Sequence, residues 1–468
     1  MAVRVTMRLS KMCVPYFRSS DVGSRPTRKP SWRIAVAIAM TAGMAACSSN
    51  EPENIGQIGA VSGYLGGVVA DEPRAVRNAR DVLSAGGSAA DAAVALYATM
   101  TVTKPSVAGI GGGGVCVVHD RVSKKVEVLD FWPRPGTRTS SDQIATTIPA
   151  VPRGLYALSA RYGRLEWRSL LSTAEQYARL GVPVSRSLVN DIEANQDQVY
   201  ASPMLRNSLM PNGKVLQVGD RIRSVNLAAL LTSLRVQGPG EFYNSALGAR
   251  VADAVQEAGG TLTADDLRNY RPEWKTATEV KVGNETLYLA YPPRSDSGPS
   301  VISQGEELGD ILNRYLADIT AGDNSAQAAS GRSGFVVVDR AANAVACVTT
   351  MNKPFGAGLG AEAFGLGLAA GDVAHAATPL IGPALMVNPY VWEYYYGIAG
   401  TGTPAGATKQ IATMAEDLIG SGAASGIAMS TDGKASVNVI RCLEGTPPHP
   451  ESCRFIADPT GGGMAGTR

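Results

Sequence analysis

The 468-residue chain carries 43 basic and 41 acidic side chains, with 45% hydrophobic, 18% charged and only 6% aromatic residues. Its formal charge of +2 conceals two unlike parts: residues 1–46 hold eight of the basic side chains against the single acid Asp21, which leaves 35 basic and 40 acidic residues beyond them. That acidic body lacks the clustered Lys and Arg that displace counterions from a polyanion, so nucleic acid is excluded as a partner, and the apolar fraction excludes a disordered chain.

The first element is an address. Arg33 precedes the apolar run IAVAIAMTAGMAA (34–46), too short to span a bilayer comfortably, and Cys47 follows. A basic flank, an apolar stretch and a small-residue site predict a signal peptide over 1–46, with Met7 and Met12 as alternative starts. Met44-Ala45-Ala46-Cys47 resembles a bacterial lipobox, whose Cys is lipidated; the alternative is an ordinary cleaved signal with an incidental Cys47. The expectation is an exported, periplasmic lipoprotein held at the membrane by its anchor. Export permits disulfides. Cys442 and Cys453 bracket the loop LEGTPPHPES and are the expected pair, whereas Cys116 and Cys347 lie in apolar runs and are expected as buried thiols.

Asp71-Glu72-Pro73 places acids and a proline at a helix start, and Gly86-Gly87 supplies the stop. Ser88 then caps a second, Ala-rich helix, AADAAVALYATM, predicted to be deeply buried. The glycine-rich loop 109–114 leads into two apolar runs, VCVVHD and KVEVLDF, which predict a β-hairpin. Residues 150–275 read as mostly helical, near 154–162, 167–180, 226–235 and 245–258. A helix at 300–317 and a polar, small-residue segment at 320–332 follow. GFVVVD (334–339) and AVACVTTM (344–351) predict a second hairpin, and a strand, a glycine-rich loop and a helix are expected across 394–420.

The three histidines, His119, His375 and His449, lie in a strand, an Ala-rich loop and a Pro-rich loop. Neither a His-dependent triad nor a His-rich metal site is supplied by that arrangement. The run 109–114 satisfies GxGxxG but precedes a strand, so it is a weak dinucleotide signal; the looser form at 400–405 is expected to open a helix whose amides suit an anion or oxyanion.

Six stretches in a fixed order carry a family resemblance. GGSAADAAVA (86–95), GIGGGGV (109–115), VLDF (128–131), VPRGLYAL from 151, RYGRLEWRSLLSTAEQYARLGVPVS from 161 and GGTLTADDLRNYRPEW from 259 resemble the large subunit of γ-glutamyltranspeptidases. GFVVVDRAANAVACVTTMNKPFGAG (334–358) resembles the stretch that follows that family's nucleophile. The resemblance implies an α/β (α+β) fold, a four-layer αββα sandwich of the N-terminal nucleophile hydrolase type. It also implies a precursor that cuts itself into a large-subunit-like region (47–332) and a small-subunit-like region (333–468), a self-processed two-piece heterodimer. The freed N-terminal hydroxyl then attacks a γ-glutamyl amide of a small peptide, with its own α-amine as base and no cofactor or metal.

Site residues carry over one at a time. The family's nucleophile opens a Thr-Thr-His-aromatic strand ending in Asp, and setting Phe335 and Asp339 on that pattern places the first Thr at Arg332 and the second at Ser333. Ser333 is therefore the candidate nucleophile, although a one-residue shift along a strand reverses the side-chain face. Thr350 and Asn352 match residues near the nucleophile and the substrate; a turn ahead of Pro354 is the alternative role for Asn352. The carboxylate-binding Arg is displaced to Arg134, which either substitutes for it or is a solvated loop charge. Pro404-Ala405-Gly406 stands where the resemblance puts the oxyanion loop, making Ala405 and Gly406 candidates, and Asp372 is the nearest acid to the position that holds the substrate amine. Two functions stay open: an active amidohydrolase or acyltransferase, or a degenerate scaffold kept as an anchored binding or structural lipoprotein.

Overall fold

The computed structural model describes residues 57–59, 63–138, 142–290, 294–295, 298–299, 331–371, 383–402, 435–458 and 462–467. In chain order its principal strands are β1 (Gln57–Gly59), β2 (Gly66–Ala70), β3 (Gly113–Asp120), β4 (Lys125–Phe131), β5 (Glu273–Thr276), β6 (Thr278–Val282) and β7 (Glu285–Leu289). After them come β8 (Arg332–Asp339), β9 (Ala344–Thr350), β10 (Ala384–Asn388), β11 (Glu393–Gly402), β12 (Ala435–Thr446), β13 (Cys453–Ile456) and β14 (Met464–Thr467). They build two antiparallel seven-stranded sheets, one in the order β14-β2-β8-β9-β3-β4-β5 and the other β1-β13-β12-β11-β10-β7-β6.

The period-2 alternation of β-strands sorts each side chain to one of two cores. Val117, Val336, Val338 and Val348 of the first sheet meet Leu385, Ile440 and Phe455 of the second in the layer between the sheets. Cys116, Leu129, Phe335 and Val337 face the other way and meet helices. The two nearest are α1 (Pro73–Ser84) and α2 (Ala89–Thr103). Glu72 caps α1 through Ala75 N at 2.7 Å, with Pro73 at its first position, while Ser88 and Asp91 form a reciprocal capping box on α2. Every residue of α2 is buried, which its short Ala side chains allow without forcing the neighbouring layers apart.

Both expected hairpins are present, as β3–β4 and β8–β9. The helical stretches expected in the middle of the chain are Val151–Tyr162, Val225–Gln237 and Ala246–Glu257, and the stretch 167–180 is two pieces, Trp167–Leu170 and Ser172–Leu180. Short helices absent from the sequence reading occupy Arg186–Ala194, Gln196–Ala201, Pro203–Leu209, Pro239–Asn244 and Ala264–Asn269. The helix expected at 300–317, the polar segment up to 330 and the helix expected after Gly402 lie outside the described residues. Among the described residues the layers are helix, sheet and sheet, with helices on one outer face.

The boundary between residues 332 and 333 falls inside β8, and the regions on its two sides interleave in both sheets. Residues 54–468 fall in one compact unit.

The sequence expectation for Cys116 and Cys347 is corrected. Pairing of β9 with β3 sets Cys347 opposite Cys116 at a Cα–Cα distance of 4.1 Å, and their sulfurs are bonded. Nothing local announces a bridge between residues 231 apart. Cys442 and Cys453 are also joined, across β12 and β13. Alkylation of the denatured protein is expected to reach Cys116 and Cys347 only after reduction. Replacing both by Ala is expected to lower stability by about 2–4 kcal/mol in denaturant titrations.

Candidate functional site

The first two residues of β8 point to opposite sides of their sheet. Register pairs Arg332 with Thr350 and Ser333 with Thr349. Arg332 and Thr350 share the parity of Val336 and Val348 and face the second sheet, whereas Ser333 and Thr349 share the parity of Phe335 and Cys347 and face the helices. The structure therefore brings Thr350 and Asn352 together with Arg332 and does not bring Ser333 to them.

On the sheet-facing side the Arg332 guanidinium lies 5.2 Å from the centre of the Trp132 ring, and its Nε has no hydrogen-bond partner among the described residues. Burial pushes Arg332 down to about 10. Asn352 N donates to Thr350 Oγ1 at 2.8 Å and Asn352 Nδ2 donates to Ala370 O at 2.7 Å. With φ +65°, Asn352 occupies the left-handed region that Asn tolerates in turns, so its amide group is already used in holding the chain.

On the helix-facing side Ser333 is fully buried and its Oγ donates to Asp71 Oδ2 at 2.7 Å. Asp71 follows the end of β2, and its Oδ1 accepts from Ser436 Oγ at 3.0 Å and Asn438 Nδ2 at 2.8 Å, both on β12 of the other sheet. Asn438 Nδ2 also donates to Gly334 O at 2.8 Å. Thr349 Oγ1 donates to Val107 O at 3.0 Å, and nearby Ser106 Oγ donates to Asp191 Oδ2 at 2.5 Å. The Lys104 ammonium donates to Ser187 Oγ and lies 3.8 Å from Asp191. Burial raises Asp191 above the usual carboxylate range; the Lys104 charge and the Ser106 hydrogen bond oppose this, and Asp71 adds to it. A cavity of about 350 Å³ opens among the helices on this same side, lined in part by Ile110, Leu205, Leu209, Phe355, Arg223 and Met351, the last of which lies two residues beyond Thr349.

Asp71, Ser436 and Asn438 escaped the sequence reading. Asp71 looked like a helix-start acid, but Glu72 does the capping and leaves Asp71 for Ser333. Ser436 and Asn438 are brought in only by the other sheet.

Arg134 is committed elsewhere, since its guanidinium pairs with Glu273 Oε1 at 2.6 Å. Burial works against its charge, but Glu273 and Asp130 together raise Arg134 above its usual range and keep it ionised. Asp130 is itself held by Lys275 Nζ at 2.6 Å. Asp372, Ala405, Gly406 and Cys47 lie outside the described residues. His119 is buried in β3, and burial lowers it to about 4, so it is a neutral packing group that meets Ala342 O and stacks on Trp392. The run 109–114 is a packing device: a Cβ on Gly111 would sit 2.2 Å from Gly367 O, and one on Gly112 2.5 Å from Thr350 O. Among the described residues no cluster of His, Cys, Asp or Glu is placed to hold a metal ion.

At Gly334 the two sheets approach each other closely. A Cβ there would lie 2.4 Å from the backbone C and O of Ala399 in β11. Gly334→Ala is therefore expected to push β8 away from β11 and lower stability by roughly 1–3 kcal/mol, read from denaturant midpoints.

Residues 75–304 match the family model described as Gamma-glutamyltranspeptidase. Glutathione hydrolase 3 of Arabidopsis thaliana is 33% identical over 240 residues, covering 49% of this chain and 38% of its own. The acylase ACY 1 proenzyme of Pseudomonas sp. (strain SE83) is 30% identical over 277 residues, covering 53% of this chain and 50% of its own. The chain thus spans at most half the length of these two curated relatives. Among solved structures, cephalosporin acylase from Bacillus halodurans superposes with a TM-score of 0.68 over 90% of this chain and 98% of that one; at 17% identity this likeness shows the fold alone. Ordered motifs and the matched family model make this chain similar to the γ-glutamyltranspeptidase family, and the superposition shows a shared α/β fold.

Proposed function

We propose that the protein is an amidohydrolase or acyltransferase of the γ-glutamyltranspeptidase type, activated by a cut between Arg332 and Ser333. The observation that carries this reading is the Ser333 hydroxyl, held 2.7 Å from a buried carboxylate at the start of the strand that the family's nucleophile opens. A cut there frees an α-amine beside the hydroxyl, the pairing by which an N-terminal Ser becomes a nucleophile. It also detaches Arg332, which in the intact chain fills the place beside Thr350 and Trp132. Ser333, no longer fixed from its N-terminal side, then turns about its own backbone toward Thr350 and Asn352. The substrate is a γ-glutamyl-type amide of a small peptide such as glutathione, in keeping with relatives named glutathione hydrolase and acylase.

One observation favours a second reading: a cation stands where the family's nucleophile would be. An uncut chain would then be an anchored binding or structural lipoprotein. Intact-mass measurement on the purified protein, together with release of product from a γ-glutamyl anilide, decides between them. The expected result is a C-terminal piece beginning at Ser333 and measurable release. Ser333→Ala is expected to abolish the piece and lower release by about 10²-fold or more. An uncut wild-type chain without release would overturn the enzyme reading.

The amino-terminal pattern supports export and a lipid anchor at Cys47. Palmitate labelling of cells making the protein is expected to mark the wild type and leave Cys47→Ser unlabelled; equal labelling would remove the anchor.

A further inference from the structure

Before the cut, Ser333 N is a peptide amide near the start of β8, so the α-amine that serves as base in the mature site does not yet exist. The first cut therefore needs another proton acceptor. Asp71 Oδ2 lies 2.7 Å from Ser333 Oγ, within the reach a general base requires. The two donors from β12 both fall on Oδ1, which leaves Oδ2 to Ser333. Two other ionisable groups on this side are engaged, Lys104 with Ser187 and Asp191, and Asp191 with Ser106.

The scissile peptide is held on both sides. Met351 N donates to Gly331 O at 2.8 Å, and a Cβ on Gly331 would lie 2.1 Å from Lys353 C, so the chain before Arg332 is pressed onto the turn after β9. After Ser333, Asn438 holds Gly334 O while also donating to Asp71, so one side chain fixes both the base and the residue following the nucleophile.

We infer that Asp71 is the general base of the self-cleavage step, a catalytic role that acts before the mature site exists and that rests on the cut proposed above. Asp71 Oδ2 takes the proton of Ser333 Oγ, and Oγ attacks the carbonyl carbon of Arg332. The bond from that carbon to Ser333 N breaks, the nitrogen takes the proton from Asp71, and an ester joins Arg332 to Ser333 Oγ. Water hydrolyses the ester, leaving a carboxylate on Arg332 and a free hydroxyl and amine on Ser333. The attack runs from a side chain to its own preceding carbonyl, so it does not need Ser333 on the Thr350 side. Cutting and turnover are thereby separated: Asp71 serves the first, and the freed amine serves the second.

The test follows cutting of the full chain over time after cell-free synthesis, by mass and gel. Wild type is expected to cut and Ser333→Ala to remain intact; cutting of Ser333→Ala, or an intact wild type, would overturn the proposed function and this inference with it. Asp71→Asn keeps the shape and is expected to slow cutting by about 10²-fold or more while retaining a cooperative melt. Adding Ser333→Cys to Asp71→Asn is expected to recover at least about tenfold, because a thiol ionises with far less help than a hydroxyl. Asp71→Asn that cuts at the wild-type rate, with Ser333→Ala still intact, would overturn the inference alone; so would a slowed Asp71→Asn that Ser333→Cys fails to recover. Should Asp71→Asn not melt cooperatively, Asp71→Glu, which keeps the charge one methylene further out, replaces it: slowing of about tenfold supports the inference and an unchanged rate overturns it.

Discussion

The pairing of β8 with β9 is the constraint on which the site depends. In an antiparallel ladder the residue opposite and the face exposed are set together, so fixing Phe335 against Cys347 also fixes Ser333 against Thr349 and Arg332 against Thr350. Slipping by one residue would move Val336 and Val338 out of the layer between the sheets and into the helices, at a cost the two buried cores forbid. β8 is flanked on its other edge by β2, whose pairing with Phe335 through Asp339 locks the same register from the opposite side. Ser333 is therefore held toward the helices in the intact chain by contacts far from itself.

That orientation has an energetic consequence. A hydroxyl buried on the helix-facing side needs a partner, since leaving one unsatisfied costs about 1–3 kcal/mol. Asp71 answers this need and raises a larger one, because a buried carboxylate is costly unless several donors surround it. Ser436 and Asn438 supply them from the second sheet, and Asn438 Nδ2 additionally holds the backbone at Gly334. The two sheets are thus joined at the site by a polar clasp beside a layer that is mostly apolar. Such a clasp aligns one sheet against the other more sharply than apolar contact does, because its bonds are directional.

Much of this architecture is written locally in the sequence. Alternating Val-rich runs with short polar turns specify the β3–β4 and β8–β9 hairpins, and Ser88 with Asp91 specifies the start of α2. Helices shorter than about two turns, such as Gln196–Ala201 and Ala264–Asn269, lack enough repeats for a periodicity to show, although caps such as Thr263 are present. Cys116–Cys347 and the Asp71 clasp were illegible for a different reason. Each joins residues hundreds of positions apart through sheet order, and a single sequence contains sheet order only implicitly. The family resemblance located β8 and β9 but gave no side-chain partners for Ser333, since the matching residue in the family's pattern is a different one.

The two faces of β8 also differ in what they offer a ligand. The face shared by Thr350, Asn352 and Trp132 carries a desolvated cation, Arg332, whose Nε is unpartnered among the described residues and which the indole ring stabilises by cation–π attraction. The helix-facing side carries the cavity lined by Ile110, Leu205, Leu209, Phe355 and Met351, and is mostly apolar. Arg134, which the resemblance singles out for a substrate carboxylate, is neutralised by Glu273 at 2.6 Å, so an incoming carboxylate would have to displace a carboxylate already in place. A bidentate grip on the α-carboxylate of a γ-glutamyl group is for that reason weakened at this position. Under the proposed function, discrimination among amides falls more to shape and apolar contact, where one methylene changes binding by only about 1–3 kcal/mol.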